Sequence, residues 1–138
     1  MKASDSIYEL LARAKTIAVV GLSESPMRPS HGVSAYMQAA GYRIIPVNPQ
    51  IAEALGEKSH ASLLEIPREL AAKIDLVDVF RRSEYVDEIV EQAIQLMIPA
   101  IWLQEDVINE RAAEKACKAG IFVVMDRCIL KEHRARFG

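Results

Sequence analysis

The chain has 138 residues, 51% of them hydrophobic and 26% charged, and a formal net charge of -2. Such usage excludes a disordered chain and suits one domain, residues 1–138, with enough length for a proper core. The small net charge excludes general attraction to nucleic acid or an anionic membrane, so an anionic ligand must be held by a local group of donors.

No apolar run reaches the length of a membrane span, and Met1 to Asp5 lack the apolar stretch of a secretory signal. Cys117 and Cys128 form no CxxC pair and are too few for a disulfide framework, so a reducing cytoplasm is expected. His31, His60 and His133 are scattered without metal-ligand spacing, and no metal is expected.

In chain order, Ser4 is placed to cap a first helix with Ile7, Leu10, Leu11 and Ala14 on one face. Thr16 to Gly21 is a β-branched, apolar run of the kind that forms a strand buried on both faces. Ser30 is placed to cap a second helix running to about Ala40, with Val33, Tyr36, Met37 and Ala40 inward and Gly41 as its stop. Tyr42 to Val47 is a second strand. From Asn48 to Lys73 the pattern predicts no more than a short helical turn around Leu63 to Ile66. Asp75 to Phe80 is a third strand.

Ser83 opens the clearest helix, with Val86, Ile89, Val90, Ala93, Ile94 and Met97 at helical spacing. Ala100 to Leu103 is a fourth strand, Asn109 caps an alanine-rich helix ended by Gly120, and Phe122 to Met125 is a fifth strand. Strands alternating with helices predict an α/β fold with a parallel sheet and right-handed crossovers. Pro46 is the discordant residue, since proline in a central strand removes a ladder hydrogen bond. Either the second strand lies at an edge or its pairing has ended by Pro46, and the second option is the one expected.

Ligands of such sheets bind beyond the carboxyl ends of the strands. After the first strand, Gly21 to Gly32 is a loop with hydroxyls and one arginine running into a helix N-terminus, a suitable place for phosphate. It is neither a GxGxxG fingerprint nor a Walker loop, and it reads equally as a serine- and proline-rich connection. Asn48-Pro49 stands after the second strand, where an NAD domain carries an acidic residue. Arg81 and Arg82 follow the third strand, and Trp102, read as core, precedes Leu103 and Gln104 at the end of the fourth. Asp126, Arg127 and Cys128 follow the fifth.

Val20-Gly21-Leu22-Ser23 with Arg28-Pro29-Ser30 resembles the first signature of the small stand-alone CoA-binding proteins. Their domain is similar to the amino-terminal, CoA-binding domain of the succinyl-CoA synthetase alpha subunit. Ile45 to Pro49, Asp75 to Arg81, Trp102 to Gln104 and Val124 to Cys128 match in the same order, over nearly the whole chain. The resemblance implies a Rossmann-like, doubly wound parallel five-stranded sheet of order 3-2-1-4-5, with coenzyme A as ligand. It implies that Gly21, Ser23, Ser25, Arg28 and Ser30 face the diphosphate and that Val47, Asn48 and Pro49 border the adenosine. Phe80, Arg81, Leu103 and Gln104 would line the rest of the groove.

The chain ends after that first domain, so CoA ligation by this polypeptide alone is not expected, and neither His31 nor His133 is assigned the phosphorylated histidine's role. The expectation is a module that binds CoA or an acyl-CoA without transforming it, because the rim lacks a nucleophile–base–orienter set. The alternatives are an enzyme or subunit acting on a CoA thioester, with Cys128 beside Arg127 as reactive thiol, or an NAD(P)-binding oxidoreductase domain. A protein partner is left open.

Overall fold

The computed structural model describes residues 3–138, with side chains from residue 6 onward. The capping role expected of Ser4 therefore lies outside the described side chains. In chain order the elements are α1 (Ala3–Arg13), β1 (Thr16–Val20), α2 (Pro29–Ala39) and β2 (Arg43–Val47). A small antiparallel hairpin, β3 (Glu53–Ala54) and β4 (Glu57–Lys58), precedes the short α3 (Arg68–Ala71). Then come β5 (Leu76–Val79), α4 (Val86–Gln95), β6 (Ala100–Leu103), α5 (Glu110–Lys118), β7 (Phe122–Val124) and α6 (Ile129–Phe137).

The five long strands form one parallel sheet of order β2-β1-β5-β6-β7. Alternate strand residues serve opposite faces, as a pleat requires. Ala18, Val20, Val77, Val79, Ile101 and Leu103 meet the apolar stripes of α4 and α5. Ile17, Val19, Leu76 and Trp102 join Leu10, Leu11, Met37 and Ile129 from α1, α2 and α6. The continuous apolar runs of β1, β5 and β6 follow from burial on both sides.

The α/β Rossmann-like class is as the sequence predicts, but the strand order is not 3-2-1-4-5. The third long strand, β5, pairs with β1, and β2 lies at the edge. Pro46 explains why. It stands opposite Val19 inside the paired stretch, so pairing has not ended there, contrary to expectation. Its ring nitrogen faces the open side, and on that side its carbonyl accepts from His60 N–H at 3.1 Å. Only an edge position tolerates the missing donor.

Helix boundaries bring three further corrections. Arg28, not Ser30, occupies the N-cap of α2, with Pro29 as the first helical residue. Met97 is 87% exposed rather than inward, because α4 stops at Gln95 and Met97 takes a left-handed turn at φ 57. Residues after Cys128, for which the sequence pattern predicts no element, form α6, which covers the same face of the sheet as α1 and α2. Asn109 caps α5 as expected, its side chain accepting from Ala112 N–H at 3.0 Å. Among the described residues no helix is long and apolar enough to cross a membrane.

Candidate ligand-binding site

At the carboxyl ends of β1, β5 and β6 the chain forms a groove of about 520 Å3. Gly21 is its hinge point. The Gly21 N–H donates to Val47 carbonyl and the Phe80 N–H to Val20 carbonyl, both at 2.8 Å, which draws three strand ends together. At φ +90 the residue must be glycine, and a Cβ there would sit 2.4 Å from the Phe80 carbonyl oxygen.

The loop leading to α2 holds itself with serine hydroxyls. Ser30 Oγ accepts from Ser23 N–H at 3.0 Å, Ser23 Oγ from Ser25 N–H at 3.0 Å, and Ser25 Oγ from Met27 N–H at 3.3 Å. Those three backbone donors are therefore committed inside the loop, whereas the sequence alone suggests free N–H groups there. Each hydroxyl keeps its own hydrogen, however, and can donate it outward while accepting. Asn48 is similarly tied: its amide donates to Leu22 carbonyl at 3.0 Å and accepts from Gln50 N–H at 2.8 Å. It fastens the end of β2 to the loop.

Of the residues expected from the sequence, Gly21, Ser23, Arg28, Ser30, Asn48, Phe80, Arg81 and Gln104 line this groove. Val47 and Pro49 line an adjoining cavity of about 240 Å3, floored by Leu63 and Ile89 and bordered by Tyr85 and Glu88. Arg81 borders both spaces. Ser25 lines neither, because its hydroxyl is turned to the loop backbone. Leu103 also lines neither: it is 1% exposed in the core between β6 and the α4 side.

The sequence reading did not place Glu105, Asp106 or Val107 at the groove, nor Tyr85 and Glu88 at the second cavity. The first three directly follow Gln104, so their position after a strand was the available signal. The other two come from the first turns after Arg82, which no pattern marked.

Electrostatically the groove is cationic at one wall. Arg28, Arg81 and Arg82 border it, and none of them makes an ion pair among the described residues. The Arg81 guanidinium lies 4.3 Å from the centre of the Tyr85 ring, a cation–π contact that holds it without neutralising it. Glu105, on the opposite rim, is already paired with Lys131 at 3.1 Å. Behind the groove, Gln104 Nε2 donates to Asp78 Oδ1 at 2.6 Å. Burial pushes the Asp78 carboxyl up to about 7, opposed by that hydrogen bond.

Trp102 is fully buried, as read, with its indole N–H donating to Arg127 carbonyl at 2.8 Å. Cys128 is half-buried at the N-cap of α6 and lines neither cavity. The guanidinium of its neighbour Arg127 is 3.6 Å from Glu132 rather than committed to the thiol. Both cysteines are free thiols.

A family model described as "CoA binding domain" matches residues 15–134. The chain belongs to this CoA-binding domain family. The domain is 49% identical over 127 residues to the uncharacterized protein YneT of Bacillus subtilis (strain 168), covering 92% of this chain and 91% of YneT. Among solved structures, a hypothetical protein from Pyrococcus horikoshii OT3 matches this CoA-binding domain with a TM-score of 0.92 and 39% identity. That match covers 99% of this chain and 94% of the other. A dinucleotide-forming acetyl-coenzyme A synthetase from Ca. Korarchaeum cryptofilum, in its apo form, matches with a TM-score of 0.67 and 19% identity. There the likeness is one of fold, over 80% of this chain and 25% of the synthetase.

Proposed function

We propose that this chain binds coenzyme A or an acyl-CoA in the groove at the carboxyl ends of its strands and does not itself transform it. The observation that carries the reading is Arg81. It borders both the polar groove and the largely apolar second cavity, and among the described residues no carboxylate forms an ion pair with it. A ligand with phosphates next to a flat, apolar heterocycle suits that junction, and membership of the CoA-binding domain family favours CoA among such ligands. Arg28 and Arg82 add charge, and the outward hydrogens of Ser23 and Ser30 add donors.

Calorimetric titration with CoA, acetyl-CoA, ADP, NAD and NADP tests this directly. CoA species are expected to bind more tightly than either dinucleotide. Arg81→Ala is expected to weaken CoA binding by about 1.5–3 kcal/mol, as loss of a charge-assisted hydrogen bond does. Unchanged affinity in that variant would remove the junction from the site, and stronger binding of NADP would move the reading to a dinucleotide domain.

Absence of chemistry is the second part of the proposal, and Cys128 is where it is most exposed to refutation. Since Cys128 lines neither cavity, Cys128→Ala is expected to leave CoA affinity unchanged within error. Acetyl-CoA incubated with the protein should release no free thiol beyond the protein-free rate. Thiol release that Cys128→Ala abolishes would establish a thioester-cleaving enzyme instead.

A further inference from the structure

On the face of the sheet that packs against α1, α2 and α6, one carboxyl group is buried with a single polar partner among the described residues. Asp78 is 1% exposed and stands between Val19 of β1 and Trp102 of β6. Gln104 Nε2 meets its Oδ1, and no other donor reaches the carboxyl among the described residues. Gln104 is itself 5% exposed, yet it lines the groove. Its Oε1 has no hydrogen-bond partner among the described residues. The one sealed side-chain polar atom without a partner, among the described residues, is Ser34 Oγ. Gln104 Oε1 therefore has access to the groove.

A primary amide has two faces of opposite character, and half a turn exchanges them at almost constant volume. An ionised carboxylate only accepts, so it must take the N–H of Gln104 and leave the carbonyl oxygen facing the groove. A protonated Asp78 has an O–H to place, and at Oδ1, 2.6 Å from the amide nitrogen, Gln104 Oε1 takes it once the amide turns over, which leaves the NH2 facing the groove. We infer that Asp78 is a positioning residue whose protonation sets whether Gln104 offers the groove an acceptor or a donor, the ionised form selecting ligands with an N–H group at that point.

Because burial brings this carboxyl to about 7, both forms are populated around neutrality. Its surroundings contribute no competing buried charge. Val19 and Trp102 flank it, and α1 contributes apolar Ile7, Leu10 and Leu11 to this side. The titratable and charged groups on the adjoining elements are Tyr8, Glu9 and Arg13 on α1, His31 and Tyr36 on α2, Arg81 and Arg82 after β5, and Glu105 and Asp106 after β6. With them stand Asp126 and Arg127 after β7, and Cys128, Lys131, Glu132, His133, Arg134 and Arg136 at and along α6, and none of these is buried.

The ligand part of the inference rests on the CoA reading, in which the amide N–H groups of the pantetheine arm are the donors that meet Gln104. Two measurements on the full chain separate the two claims. In the free protein, the Gln104 side-chain amide resonances are expected to titrate near neutral pH and to stop doing so in Asp78→Asn. Resonances that do not move between about pH 5 and 9 would overturn the switch itself.

For the ligand, CoA and ADP are titrated calorimetrically into both proteins at about pH 6 and pH 8. Wild-type affinity for CoA is expected to rise about three- to tenfold more than that of Asp78→Asn over this interval, the scale of one hydrogen bond. ADP, which lacks the pantetheine amides, should show the same change in both proteins. CoA profiles that coincide in the two proteins would overturn the inference while leaving the CoA site intact. No CoA binding to wild type at either pH would overturn the CoA reading, and the ligand claim with it.

Discussion

Replacing Gly21 with alanine is expected to destabilise the protein by about 3 kcal/mol and to lower its melting midpoint by roughly ten degrees. Two costs combine. At φ +90 an L side chain is strained, and the new Cβ would lie 2.4 Å from the Phe80 carbonyl oxygen and 3.0 Å from its carbon. Those are backbone atoms, and they have little room to retreat. Phe80 N–H is bonded to Val20 carbonyl and Gly21 N–H to Val47 carbonyl. Relief requires prising the end of β1 from the end of β5, which shifts Arg81 in the next position. CoA affinity should therefore fall in whatever fraction remains folded. Gly32→Ala is the matched control, since a Cβ there meets nothing within 4 Å. In the first turns of α2 it should be neutral or stabilising by about 0.5–1 kcal/mol. Denaturant unfolding of the three proteins checks both; equal stability of Gly21→Ala and wild type would refute the close approach.

The second large effect concerns pH. The unfolded Asp78 carboxyl releases its proton near 3.8, whereas the folded one keeps it up to about 7. Between these values the folded state binds more protons, so stability falls as pH rises. The contribution is fully present below the unfolded value and is lost as pH climbs through the folded one. At 1.36 kcal/mol per unit, the interval corresponds to roughly 4 kcal/mol. Asp78→Asn cannot ionise and should lack this slope. Its stability relative to wild type is expected to improve by up to that amount between about pH 4 and pH 8, whatever fixed offset the substitution introduces. Unfolding curves at four or five pH values are sufficient. Parallel pH profiles for the two proteins would mean that Asp78 is ionised in the folded state across the range.

Much of the fold was legible because each central strand carries its own signature. Thr16 to Val20, Leu76 to Val79 and Ala100 to Leu103 are apolar over their whole length apart from Thr16 and Asp78, as burial on both faces demands. The helices between them show one apolar stripe each, and Asn109 and Gly120 mark the ends of α5 by local chemistry alone. Positions between the strand ends and the next helices could likewise be named, and eight of the expected residues converge on the groove.

What local pattern cannot encode is which strand lies beside which. The α/β alternation is the same for orders 3-2-1-4-5 and 2-1-3-4-5, since the choice depends on whether the crossover after β2 returns past β1. Pro46 held the deciding clue, but its meaning depends on which side its nitrogen faces, and that is a property of the assembled sheet. The same limit applies to side chains. Ser25 lies in the same loop as Ser23, and Leu103 closes β6 directly before Gln104, yet one turns to its own loop and the other into the core. Asp78 and Gln104 are 26 residues apart. Nothing in either segment marks a pair, because only the lateral packing of β5 against β6 brings a buried carboxyl under the amide at the groove wall. Strands and helices arise from interactions within a few residues along the chain, whereas sheet order and the buried Asp78–Gln104 contact arise from interactions between distant segments that exist only after the chain has folded.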